Sequence, residues 1–117
     1  MTDESELRDA ICAHGRLLYG RGYCVGSAGN ISARLPGGGV LMTPTNSCLG
    51  RLDPGRISKL DAEWRHVGGD PPSKEVFMHR AVLRSRPEAG AVVHLHSTHA
   101  TAVSCLAVPS DPAPPIP

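Results

Sequence analysis

With 117 residues and a formal net charge of +1, the chain has room for one domain with a modest core and too little for two. Its 12 Lys and Arg residues are scattered, and its aromatics are Tyr19, Tyr23, Trp64 and Phe77, so nucleic acid is excluded as the expected partner. The acidic opening "MTDESELRDA" is not a secretory signal, and no apolar run approaches the ~20 residues of a bilayer span.

No membrane partner is therefore expected, and the cytoplasm is the expected location. Cys12, Cys24, Cys48 and Cys105 form no CxxC pair. In a reducing compartment they read as small, mostly buried thiols.

Residues 5–20 predict a helix. Leu7, Ile11 and Leu18, with Ala10 and Leu17 alongside, form a stripe at helical spacing. Ser5 or Asp3 can cap its start, and the glycines at 20 and 22 stop it. His14 falls on the edge of that stripe and reads as a partly exposed helix residue.

"NISARLPGGGVLMT" predicts a β-hairpin. Ile31, Ala33 and Leu35 alternate with polar residues, "PGGG" turns the chain, and Val40–Thr43 returns. The following stretch, rich in Gly, Asp and Pro, reads as loops. A turn of helix near Asp53 and short strands around Ile57 and Trp64 are expected there.

"PPSKEVFMHRAVLRSRP" predicts a second helix, with Ser73 as N-cap and Pro87 as its stop. Its expected inner face is Val76, Phe77, Arg80 and Leu83. His79, one turn after Glu75 or Val76, reads as packing or surface. "GAVVHLH" predicts a buried strand, and Ser97 can cap a helix over Thr98–Leu106. The proline-rich end can neither continue a helix nor sit inside a sheet. The expected organisation is one domain over residues 1–107 and a tail over 108–117. Helices and strands alternating in this way indicate a mixed α/β fold.

On a strand, His94 and His96 point the same way, ~7 Å apart at Cα, and Leu95 faces the core. Two imidazoles on one face can converge on one ion, and imidazole favours zinc over harder ions. Burying them without partners is costly. His99, in the first turn of the next helix, suits the pocket wall better than the ion. Glu75 sits where a helix N-terminus favours a carboxylate. It could serve as ligand, as general base, or as each in turn.

"GSAGNIS" (26–32) and "TPTN" (43–46) flank the hairpin with small residues and hydrogen-bonding side chains. "PSK" (72–74) adds a hydroxyl and a cation at a helix N-terminus. Three such segments around one metal candidate suggest a small, phosphorylated, oxygen-rich substrate.

"GSAGNIS", "TPTN", "PSKE" and "HLHS", in this order and spacing, resemble the class II aldolase/adducin family of zinc-dependent sugar-phosphate aldolases. Within it the likeness is to the 3-oxo-tetronate 4-phosphate decarboxylases. The resemblance implies a three-layer α/β/α domain around a mostly antiparallel sheet, usually a homotetramer with sites between subunits.

It further implies one Zn2+ per subunit on His94 and His96, with Glu75 as ligand and acid/base. Gly29, Asn30, Thr45, Asn46, Ser73 and Lys74 would line the pocket for the phosphate and the hydroxy-ketone. The implied reaction releases CO2 through an enediolate and gives dihydroxyacetone phosphate. A fuculose- or ribulose-phosphate aldolase would share that intermediate.

Family members run to about twice this length and supply a third zinc histidine downstream. The sequence is accordingly expected to be the N-terminal half of the domain. An inactive fragment and an adducin-like module without chemistry are the alternatives to an enzyme.

Overall fold

The structure, a computed structural model, describes residues 3–106; the expected tail at 108–117 lies outside them. Helix α1 (Glu4–Gly20) begins in a capping box: Asp3 accepts from the Glu6 backbone N–H, and the Glu6 carboxylate accepts from that of Asp3. Two helix-start donors are thereby satisfied. Its inward stripe is Leu7, Ile11, Cys12, Gly15 and Leu18, while Leu17 is 56% exposed. Leu17 therefore leaves the expected stripe.

Strands β1 (Asn30–Arg34) and β2 (Val40–Met42) form the expected hairpin, Ser32 opposite Met42 and Arg34 opposite Val40. Two 3-10 turns follow, Leu49–Arg51 and Pro54–Arg56, the second capped by the Asp53 side chain. Then come β3 (Ser58–Leu60) and β4 (His66–Gly68). Trp64 sits in the turn between them with φ 67°, outside the strand expected around it. Helix α2 (Val76–Ser85), strand β5 (Ala91–His94) and helix α3 (Thr98–Ser104) complete the order.

The five strands form one antiparallel sheet in the order β4-β3-β2-β1-β5. Alternate residues of β1 separate its two faces. Ile31 and Ala33 pack in the apolar cluster of Ile11, Cys12, Leu49 and Ile57 beneath α1. Ser32 instead bonds His79 of α2. The two helices therefore cover opposite sides, giving the expected three layers.

Close backbone approach fixes the α1 layer. A Cβ at Gly15 would stand 2.6 Å from the Leu49 carbonyl oxygen, so only glycine lets α1 settle on the first 3-10 turn. Arg8 ties the same helix to the chain before β3, donating to the carbonyls of Pro54 (2.9 Å) and Ile57 (3.0 Å). At the far end, the Arg34 guanidinium donates to the carbonyls of Leu83, Arg86 and Ala89. It satisfies acceptors left open where α2 ends.

Two other expectations change. Phe77 is 72% exposed, and the buried residues of α2 are His79 and Leu83. The helix turns Phe77 away because His79, 100° times two further round, points inward. Strand β5 was expected to be buried, yet Val93 is 52% exposed. Among the described residues β5 pairs only with β1, at the sheet edge. Of the thiols, Cys12 and Cys24 are buried as expected, while Cys105 is exposed.

Candidate active site

The sheet register starts the site. Asn30 and His94 are direct partners across β1 and β5, so their side chains stand side by side on the α2 face. The strand period puts Ser32 on the same face two residues on. Glu75 enters from the start of α2, and His79 follows one turn later on the same side.

Ser73 does not cap the first helical residue as expected. Its Oγ accepts from the Glu75 N–H at 3.2 Å and its carbonyl from Val76 at 3.2 Å, closing a turn that leads into the helix. That turn aims Glu75 at the sheet.

The side chains form one connected network. Asn30 Nδ2 donates to Glu75 Oε2 at 2.7 Å and to Ser73 Oγ at 3.3 Å. Its Oδ1 meets His94 Nδ1 at 3.2 Å and also meets His79 Nε2. His94 Nδ1 lies 2.7 Å from Glu75 Oε2. Since both neighbours of that nitrogen are acceptors, it carries a proton toward them.

His96 lies two residues beyond the end of β5 and is exposed. Its ring centroid is nevertheless 4.8 Å from that of His94, so the convergence expected of a strand pair survives the strand's early end. Leu95 packs against the core as expected. One ligand atom from each of Glu75, His94 and His96 lies within 4.8 Å of the others. Two imidazoles and a carboxylate are donors suited to zinc, so the residues fit the expected ion. His99 lies outside this group and is exposed.

Beside the cluster opens a cleft of about 190 Å³, lined by Gly29, Asn30, Thr45, Asn46, Ser73, Lys74, Glu75 and His96, with Ser27 and Ala28. The six residues expected around the phosphate and the hydroxy-ketone thus meet around one opening, while His99, expected at the pocket wall, does not line it. Gly29 has a reason beyond the cleft. With φ 85°, a Cβ there would press on the His94 carbonyl oxygen (3.1 Å) and the Leu49 and Leu95 side chains. A larger hollow, about 490 Å³, lies far from this chemistry between the start of α1 and the hairpin turn; its Lys59 is already paired with Glu4 at 2.6 Å.

Charge in the site follows from its contacts. The Asn30 hydrogen bond holds the Glu75 carboxyl below the usual carboxylate range, aided by His94 and His96 and opposed by partial desolvation. Glu75 is therefore a carboxylate at rest. Burial pushes the His79 imidazole down to about 4, helped by His94 and opposed by Glu75. His79 is thus neutral and 0% exposed.

Sequence reasoning read His79 as packing or surface, and its burial bears out the packing, but it did not foresee the bond to Ser32. A signal existed: His79 follows Glu75 at helical i+4 spacing, and Ser32 follows Asn30 at strand i+2 spacing. Each therefore shares a face with a residue already singled out.

Residues 9–117 match the class II aldolase and adducin N-terminal domain. The chain belongs to that family. It is 51% identical over 118 residues to the 3-oxo-tetronate 4-phosphate decarboxylase of Cupriavidus necator, a match covering 99% of this chain and 54% of that protein. The L-fuculose phosphate aldolase of Escherichia coli is 44% identical over 81 residues, 69% of this chain and 37% of the aldolase.

Among solved structures, YgbL of Klebsiella pneumoniae superposes with a TM-score of 0.87 at 47% identity, covering 91% of this chain and 51% of that one. The chain spans about half the length of the curated decarboxylases it matches. Among the described residues no helix is long and apolar enough to cross a membrane.

Proposed function

We propose that this chain supplies the metal-binding half of a cytoplasmic, homo-oligomeric carbon–carbon lyase that decarboxylates a 3-oxo-tetronate 4-phosphate. The observation that carries the reading is the meeting of Glu75, His94 and His96 at the lip of a cleft lined by Thr45, Asn46, Ser73 and Lys74. A metal cluster alone fits many reactions, and a hydroxyl-rich cleft alone fits many phosphates. Their junction suits a substrate with an oxygen-bearing reacting end and a phosphate tail. The name shared by the 47–52% identical relatives supplies the substrate class.

In this reading His94, His96 and Glu75 hold Zn2+. When bound, the ion would supply Lewis-acid chemistry at the substrate ketone. Lys74 and the hydroxyls of Ser73 and Thr45 bind the phosphate, and Asn46 a neighbouring oxygen, fixing the reacting carbons against Glu75. Asn30 steadies the Glu75 carboxylate. Being ionised at rest, Glu75 takes up a proton from solvent before it can donate one to the carbon that lost CO2.

The test joins this chain to the downstream half of the Cupriavidus necator relative and assays 3-oxo-tetronate 4-phosphate with zinc present. The expected result is release of CO2 and dihydroxyacetone phosphate. Glu75→Gln should slow it by roughly 10²–10⁴-fold while zinc is retained. No release, or release that Glu75→Gln leaves within a few-fold, rejects the proposal.

A further inference from the structure

The His79 backbone N–H donates to the Glu75 carbonyl at 3.3 Å within the helix, but its side chain does not line the cleft; it is a fully buried imidazole with both ring nitrogens engaged. Its Nδ1 lies 2.6 Å from Ser32 Oγ, and its Nε2 meets Asn30 Oδ1. The polarity of these contacts can be derived. Glu75 is an acceptor only, so the Asn30 atom facing it is the NH2 group. Oδ1 must then face His79, whose Nε2 has to carry the proton. Nδ1 keeps its lone pair and receives the Ser32 hydroxyl proton. A single tautomer satisfies the whole chain of contacts.

Asn30 is consequently saturated. Two donors go to Ser73 and Glu75, and two lone pairs to His79 and His94. Rotation of the amide by half a turn is disfavoured at two places: at Glu75 it would present oxygen to the carboxylate, and at His79 it would oppose two N–H donors, one on His79 and one on Asn30 itself.

We propose that His79 is a positioning residue: an imidazole, anchored by Ser32, that helps fix the Asn30 amide and through it sets the Glu75 carboxylate and the His94 ring for the ion. The part concerning the ion rests on the metal-binding reading above; the part concerning Asn30 does not. Outer partners of this kind change metal affinity by about 10–100-fold.

The experiment compares the 117-residue chain with its His79→Leu, His79→Gln and Ser32→Ala variants. Nitrogen-15 NMR of the zinc-free protein reads the His79 tautomer and the solvent exchange of the Asn30 side-chain NH2. A chelator competition then reads the zinc Kd. In the native chain His79 should carry its proton on Nε2, and the Asn30 NH2 should exchange slowly.

His79→Leu should release that NH2 and raise the zinc Kd by about 10–100-fold. His79→Gln, whose amide nitrogen can replace Nε2, should restore both to within a few-fold. Should His79→Leu fail to fold, Ser32→Ala decides, because it keeps the ring and removes only the anchor. It should leave the proton on Nε2, where Asn30 Oδ1 still accepts it, while loosening the ring and speeding the exchange.

A proton on Nδ1 in the native chain overturns the proposal. So does unchanged NH2 exchange in both His79→Leu and Ser32→Ala, or a folded His79→Gln as impaired as His79→Leu. If neither the native chain nor its fusion to the downstream half binds zinc, the metal-binding reading falls, and the tautomer and exchange data still decide the role of His79.

Discussion

On one face of β1, Ile31 and Ala33 lie among Ile11, Cys12, Leu49 and Ile57; on the other, Asn30 and Ser32 lie against His79, Glu75 and His94. The four β1 residues are all buried. The apolar face gains from removal of surface from water and needs only volume and shape. The polar face gains nothing from burial itself and is viable because each donor has found an acceptor. One strand therefore carries two kinds of specificity, a general one toward α1 and a directional one toward α2. The candidate site lies on the directional side.

That contrast can be broken one face at a time. The largest effect should come from the apolar side, where Ile31→Ala leaves a cavity under α1. A loss of about 2–5 kcal/mol is expected, read as a lower urea midpoint at neutral pH, with the His79 tautomer unchanged in the protein that remains folded.

The polar face should show itself through pH. His79 has a folded-state value of about 4 against an ordinary 6.5, so the unfolded chain takes up a proton before the folded one does. Stability should therefore fall as pH is lowered from about 6.5 to about 4 and the dependence should then level off, costing up to about 3 kcal/mol at about 1.36 kcal/mol per pH unit. Urea midpoints across that range check it. His79→Leu should flatten the upper part of the curve, above the range where carboxylates titrate.

The smallest effect should come from a change that favours neither face. Thr43 Oγ1 accepts from the Ile31 backbone N–H at 3.1 Å in a buried position. Thr43→Val keeps the shape and strands that donor, costing about 1 to 2 kcal/mol. Denaturation at neutral pH should show it, with the pH dependence left parallel to that of the native chain.

The two faces also differed in how far the sequence disclosed them. Apolar periodicity and capping residues placed α1, the hairpin and α2 close to where they lie, because those signals are local. Glu75, His94 and His96 were legible as a cluster through helix-start chemistry and strand alternation. His79 was not, because a histidine on an amphipathic helix has the same pattern whether it meets water or a buried serine. Its partners are 47 and 49 residues away. Phe77 and β5 were misread for a related reason: hydrophobicity states what can be buried, and the tertiary arrangement states what is. Leu17 left its stripe by the same rule.

The saturation of Asn30 has a consequence for what could ever replace it. Aspartate is its nearest counterpart in size, differing by one heavy atom, and would fit the space without displacing a neighbour. That atom, however, is the nitrogen held 2.7 Å from the Glu75 carboxylate. An oxygen there would set anion against anion beside the only acid of the cluster. Size and chemistry rank the replacements in opposite orders at this position: the most conservative by volume is the most foreign by charge.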